Sequence, residues 1–145
     1  MPDTISRPAA LASKRKAARP PIQMRESDAD RLSELAMRIE ANQPQLAAML
    51  TAEIDRARIV ADARLPKSVV AMGSTVRFAD DTAGTERTVQ LVYPHQAAIE
   101  AGRLSILTPV GAGLIGLGEG QSIKWRDRGE HERVLRVVEV MPPQD

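Results

Sequence analysis

The chain has 145 residues and a formal net charge of +1, and it contains no cysteine and three aromatic residues, Phe78, Tyr93 and Trp125. The length suits one domain with an appendage, while the missing cysteine excludes disulfides, cysteine-ligated zinc and thiol nucleophiles, and the few aromatics disfavour a surface that stacks single-stranded nucleic acid. No apolar run approaches the roughly 20 residues of a membrane span and the N-terminus lacks the apolar stretch of a secretory signal, so we expect a cytoplasmic protein without membrane contact.

Residues 1–25 are predicted to form a disordered basic tail. They contain six arginine or lysine residues, four prolines and a single acid, Asp3. Such a composition buries too little apolar surface to fold. A solvated tail is the simplest interpretation, and a weak contact with RNA, DNA or an acidic protein is the alternative. We therefore expect removal of these residues to leave the thermal stability unchanged.

Residues 26–64 are predicted to form a helical hairpin. In the first half, Leu32, Leu35, Ala36 and Ile39 recur with the spacing of one helix face. Pro44 suits the first turn of a second helix. Since the connection is short, the two helices are expected to pack antiparallel as a short coiled coil. The tip of this hairpin contains Glu40, Asn42 and Gln43.

Residues 65–145 are predicted to form an α+β domain, an antiparallel sheet with one short helix. After Pro66 the apolar period changes from 3.6 to 2, and two strands flank a turn at Gly84. A short strand at residues 103–107 leads to Thr108, a predicted N-cap, and to Pro109, a predicted first helical residue. A last hairpin turns at Gly129, and its final strand is apolar on both faces, which favours an interior position in the sheet.

The segment GAGLIG, residues 111–116, matches a dinucleotide fingerprint letter for letter. A dinucleotide fold needs a βαβ unit and an acid about 20 residues further on, and the remainder of this chain is predicted to be a single hairpin. We therefore expect no cofactor. The small residues instead let the helix lie close to the sheet, and the core is expected to contain Leu114, Ile115 and Leu117.

The ionisable residues predict neither a catalytic nor a metal site. His95 and His131 lie beside turns without the oriented partner that catalysis needs. Asp80 and Asp81 either solvate a turn or form a weak cation site completed by a partner. Three arginines either present a basic face to an acidic partner or serve as ordinary surface charges: Arg77, Arg87 and Arg103.

A strand, a capped helix of small residues and a glycine-rich turn follow one another in SILTPVGAGLIGLGEGQSIKW. This segment resembles the C-terminal domain of Gre-type transcript-cleavage factors. The segments IDRARIVADARLPKSVVAMGSTVRF and RTVQLVYPHQA resemble the Rnk family, the regulators of nucleoside diphosphate kinase, which are shorter relatives of the Gre factors. The resemblance implies an FKBP-like domain carried by a truncated coiled coil, and binding of a monomer to bacterial RNA polymerase near its secondary channel. The family's Gly-Asp is Gly120-Gln121 here.

The resemblance also implies where the polymerase is contacted. The family's C-terminal domain docks through the segment that corresponds here to Leu107, Thr108, Pro109, Val110 and Gly111. Gre factors place two acids of the hairpin tip in the polymerase active site to hold a catalytic magnesium ion, whereas Glu40 is the single acid of residues 40–44. The sequence therefore predicts docking without transcript cleavage, and competition with Gre factors.

Two other functions stay open. The family name suggests a modulator of nucleoside diphosphate kinase, acting directly or indirectly through transcription. The FKBP-like fold suggests a peptidyl-prolyl isomerase, but such enzymes need an aromatic-lined pocket, and fold alone does not establish function.

Overall fold

The computed structural model describes residues 21–81, 83–126 and 132–143. Its N-terminal part contains two helices, α1 (Glu26–Ile39) and α2 (Pro44–Arg56). The amides of Asn42 and Gln43 both donate hydrogen bonds to the carbonyl of Ile39, and these bonds form the turn between the helices. The helices pack against each other through a buried seam of small and medium apolar side chains: Leu32, Leu35, Ala36, Ala47 and Leu50. The predicted pair of helices is thus confirmed.

The second helix ends earlier than the predicted hairpin, which extended to residue 64. Ala57 is extended, with φ −78° and ψ 145°. The chain then forms a short strand, β2 (Arg58–Val60), and a 3₁₀ turn (Asp62–Arg64). The prediction was wrong here because β2 pairs with a distant segment, and such tertiary pairing overrides local helix propensity.

That distant segment belongs to the predicted tail. Strand β1 (Gln23–Arg25) pairs in parallel with β2, and Ile22 and Met24 are 2% and 1% exposed. The amide of Gln23 donates to the carbonyl of Gly116, so β1 also contacts the glycine-rich segment. Ending the tail at Arg25 was therefore wrong, since its last residues are part of the fold. Residues 1–20 lie outside the described part of the chain.

The second part of the chain forms a five-stranded sheet in the order β5-β4-β3-β7-β6. Its strands are β3 (Thr75–Asp80), β4 (Thr85–Val92), β5 (Arg103–Ser105), β6 (Ser122–Arg126) and β7 (Glu132–Met141). Strand β7 pairs with a neighbour on each side, which confirms its predicted interior position.

The sheet is mixed, whereas the prediction was a wholly antiparallel one. Strand β5 pairs in parallel with β4. Two 3₁₀ turns, Pro94–Gln96 and Ile99–Ala101, separate these strands, and Gly102 with φ +75° ends the second turn. The connection therefore crosses over instead of reversing as a hairpin does. The turn predicted at Gly129 lies outside the described residues.

The short helix α3 (Pro109–Leu114) connects β5 to the β6–β7 hairpin. The predicted core residues Leu114, Ile115 and Leu117 are all 0% exposed. The glycines of the fingerprint are explained by close packing. A Cβ at Gly113 would lie 2.6 Å from Cδ1 of Ile123, and one at Gly116 would lie 2.7 Å from Cβ of Ile22.

Candidate partner-binding surfaces

Thr108 caps α3 as predicted, and its hydroxyl is engaged within the chain. Oγ1 accepts a hydrogen bond from the amide of Gly111 at 3.0 Å and donates one to the carbonyl of Ser105 at 2.8 Å. The amide of Thr108 also donates to the same carbonyl. These bonds fix the path of the chain from β5 into α3. The Thr108 hydroxyl therefore stabilises the fold and is not available to hydrogen-bond a partner.

The five residues of the predicted contact segment differ in exposure. Pro109 is exposed, whereas Leu107, Thr108 and Val110 are half-buried. Leu107 and Val110 also pack against the core. Gly111 is buried, and a Cβ there would overlap the carbonyl oxygen of Ser105. The structure thus brings the five residues together at one turn, where Pro109 offers the most accessible side chain.

Sequence reasoning missed an exposed apolar residue on the 3₁₀ turn before β5. Ile99 is 61% exposed. It precedes Gly102 and the exposed Arg103, and residues 98 and 103 form an isolated bridge between the turn and the start of β5. A single isoleucine in a short turn has no periodic pattern, so the sequence carried no signal that could have identified it.

The turn between α1 and α2 is fully accessible. Glu40, Asn42 and Gln43 are all exposed, and residues 40–44 contain no acid besides Glu40. With 14 and 13 residues, the helices extend only about 20 Å. A cavity of about 480 Å³ lies along the helix pair beside Glu40, and the 75% exposed Met37 borders it.

Several charged residues in or beside the sheet form ion pairs. Asp80 pairs with Arg133 at 2.7 Å, and Asp81 pairs with Arg136 at 3.3 Å. Arg77 lies between two carboxylates across neighbouring strands, Glu86 at 3.1 Å and Glu139 at 3.2 Å, and their hydrogen bonds raise the pKa of Arg77. Arg77 therefore does not contribute a free charge to a basic face, although Arg87 and Arg103 remain exposed.

Two features are absent from the described residues. Within residues 21–81, 83–126 and 132–143, no cluster of three or more His, Cys, Asp or Glu side chains could hold a metal ion. None of the helices described is long and apolar enough to span a membrane. Of the two histidines, His95 stacks on Tyr93 with ring centroids 6.4 Å apart, and His131 lies outside the described part.

Two protein-family models match the chain in succession. Residues 20–60 match the Rnk N-terminus, and residues 65–142 match the C-terminal domain of the transcription elongation factors GreA/GreB. The first match ends at β2, and the second begins before the sheet. The boundary between the two family models thus coincides with the boundary between the helix pair and the sheet.

Individual proteins show the same relationship. The regulator of nucleoside diphosphate kinase from Escherichia coli K12 is 36% identical over 123 residues, which cover 85% of this chain and 90% of the relative. Transcription elongation factor GreA from Methylobacterium nodulans is 38% identical, over 49% of this chain and 45% of that factor. A solved structure, the GreA/GreB elongation factor from Nitrosomonas europaea, is 37% identical with a TM-score of 0.69 and covers 83% of this chain and 98% of its own. The chain therefore belongs to the family of the regulator of nucleoside diphosphate kinase, in which an Rnk N-terminal segment is joined here to a GreA/GreB C-terminal domain.

Proposed function

We propose that this chain is a non-catalytic regulator that binds bacterial RNA polymerase near the secondary channel and competes there with Gre factors. The proposal is supported by the match of residues 65–142 to the C-terminal domain of elongation factors. The contact surface is the segment Leu107–Gly111, with Pro109 as its most accessible residue. The helix pair, a short coiled coil, occupies the entrance of the channel without reaching deep into it.

The observation that carries the proposal is the isolated carboxylate at the tip. Glu40 is exposed, and the other residues of the turn, Ala41, Asn42 and Gln43, carry no charge. Magnesium keeps several waters and is bound through one or two carboxylates together with other ligands. Two-metal catalysis requires the second ion to be held firmly, and a single exposed glutamate supplies only one carboxylate for this purpose. A docked chain of this kind would occupy the site without activating cleavage.

Binding to purified polymerase tests the contact surface. The variant Pro109→Asp places a charge at the most accessible position, and an acid in the first turn of a helix is tolerated. We expect it to bind polymerase about tenfold more weakly or worse, because an unpaired charge at an interface is costly. Thr108 is a poor choice for this test, since its hydroxyl holds Ser105 and Gly111 together.

The matched control is Pro142→Asp, the same change at an exposed position after β7. It should retain the affinity of the original chain in interferometry, while circular dichroism verifies that both variants are folded. Equal affinities for a folded Pro109→Asp variant and the control would exclude this contact surface.

A second candidate function is direct modulation of nucleoside diphosphate kinase, and it rests on the name of the Escherichia coli relative. Adding the chain to purified kinase and measuring the rate of phosphate transfer tests it. A change in this rate that saturates when the chain and the kinase are present in stoichiometric amounts would favour this function over polymerase binding. The isomerase alternative is weaker, because Phe78 is 4% exposed in the core and cannot line a proline pocket.

A further inference from the structure

A cleft of about 380 Å³ lies where the start of α1 meets the sheet domain. Its polar lining comes from both parts of the chain. Arg25, Asp28 and Arg31 lie at or near the first turns of α1, while Tyr93 and Gln96 follow β4. The volume falls in the range of small-molecule sites. None of the functions considered above uses these residues.

The negative charge in the cleft is already compensated. Asp28 is 2% exposed, and Arg25 binds both of its carboxylate oxygens at 2.9 Å. The amide of Met72 donates a further hydrogen bond to Oδ2 of Asp28 at 3.2 Å. A charge-assisted bidentate pair of this kind is strong and geometrically fixed. Asp28 therefore anchors Arg25 at the base of the cleft and has little remaining capacity to bind a cation.

Arg31 supplies the positive charge of the cleft that Asp28 does not pair with. Its side chain is exposed and forms no salt bridge with a carboxylate in the part of the chain that the structure describes. It lies near the Tyr93 hydroxyl, where its charge and its N–H donors both act to lower the pKa of that group. The lining thus combines one compensated acid with two arginines. Asp62 lies near both arginines but does not line the cleft, so the lining itself has an excess of positive charge that favours an anion.

The hydroxyl of Tyr93 is the second unusual group. Oη is buried and forms no hydrogen bond of good geometry within the described residues, although the guanidinium of Arg31 lies beside it. Burial, and next the charge of Asp28, raise the pKa of Tyr93, so the group remains protonated and acts as a donor. A buried hydroxyl without a well-formed hydrogen bond destabilises the fold. An acceptor from outside the chain would remove this destabilisation.

A third donor is available beside it. The side-chain oxygen of Gln96 accepts from the amide of Tyr93 at 3.3 Å, which leaves the NH₂ group of Gln96 to donate elsewhere. The guanidinium of Arg31, the hydroxyl of Tyr93 and this amide border one cleft. Three donors and a net positive charge suit the several oxygens of a phosphate better than the two oxygens of a carboxylate.

We propose that the cleft binds the phosphate group of a small soluble molecule. Arg31 supplies the charge, and the Tyr93 hydroxyl and the Gln96 amide supply neutral hydrogen bonds. The ligand would contact α1 and the segment after β4 at once. It would therefore strengthen the junction between the helix pair and the sheet domain.

Calorimetric titration of the full chain tests the proposal with inorganic phosphate, adenosine 5′-monophosphate and acetate at constant ionic strength. We expect saturable binding of one or both phosphate probes and none of acetate. Tighter binding of the nucleotide identifies a phosphate ester as the source, and equal binding identifies free phosphate. Arg31→Gln should weaken phosphate binding about tenfold or more, as expected for the loss of a charged hydrogen bond.

Two further variants distinguish binding in the cleft from a general effect of surface charge. Arg38→Gln changes an exposed arginine two turns further along the same helix and should leave the affinity unchanged. Tyr93→Phe should weaken phosphate binding severalfold while the chain remains folded. The proposal is overturned if no phosphate probe saturates, if acetate binds equally well, or if Arg31→Gln and Arg38→Gln have the same effect. The proposal is also overturned if the Tyr93→Phe variant is more stable than the original chain and binds phosphate with the same affinity.

Discussion

Gly111 and Gly113 lie on the same short helix but face different neighbours. A Cβ at Gly111 would overlap the Ser105 carbonyl oxygen and lie 3.1 Å from Cα of Ile106, both parts of the backbone. A Cβ at Gly113 would meet only the flexible end of the Ile123 side chain. Gly111 is therefore required by nearby backbone and Gly113 only by a side chain, although the fingerprint has glycine at both positions.

This difference predicts unequal changes in stability when alanine replaces each glycine. Gly111→Ala should lower the free energy of unfolding by about 1–3 kcal/mol, because the backbone of β5 must shift. Gly113→Ala should change it by less than about 1 kcal/mol, since the gain in helix propensity offsets the shift of Ile123. Urea denaturation followed by circular dichroism measures both. Equal losses in the two variants would contradict the packing described for α3.

Tyr93 allows a direct measurement of its environment because it is the single tyrosine of the chain. Burial raises the pKa of its hydroxyl in the folded state above the ordinary value of 10.0. The raised value stabilises the fold at pH values below the ordinary pKa, and this contribution is lost as the pH rises through the folded pKa. Spectrophotometric titration should give a higher midpoint in the native chain than in denaturant. Coincident midpoints would show that the hydroxyl is accessible to water.

At the scale of elements, β1 is the least expected contributor to stability. Ile22 and Met24 are almost completely buried, whereas Gln23 between them is half-buried and is held through its backbone amide. Ile22→Ala and Met24→Ala should each lower the free energy of unfolding by about 2–4 kcal/mol, the usual cost of truncating a buried side chain. Gln23→Ala is the matched control and should cost less than about 1 kcal/mol. Thermal unfolding of the three variants would refute the assignment of β1 if all three resembled the original chain.

The elements that could be predicted from the sequence depend on local chemistry. The cap by Thr108, the start of α3 at Pro109 and the β3–β4 hairpin each arise from neighbouring residues. The pairings that were missed join distant segments: β1 with β2, and β5 with β4. Strands of three residues are too short to show a clear alternation, and parallel pairing has no turn that marks it in the sequence.

At the scale of the whole molecule, a few bonds determine how the helix pair meets the sheet domain. Arg25 and Asp28 together bind both backbone groups of Met72, and Gln23 binds Gly116. These bonds join the start of α1 and strand β1 to the sheet domain. The two surfaces of the proposed function stay predictions that come from local motifs and from the family resemblance. The cleft at the junction could not be predicted, since its residues are distant in sequence.

Cleavage of labelled RNA in a backtracked elongation complex tests the central claim most directly. The chain alone should produce no cleavage, because Glu40 offers one carboxylate where the second metal ion must be held firmly. In excess, it should suppress cleavage by an added Gre factor, because two proteins that share one surface compete by mass action. Cleavage by this chain alone, or undiminished cleavage by the Gre factor in its presence, would contradict the proposed function.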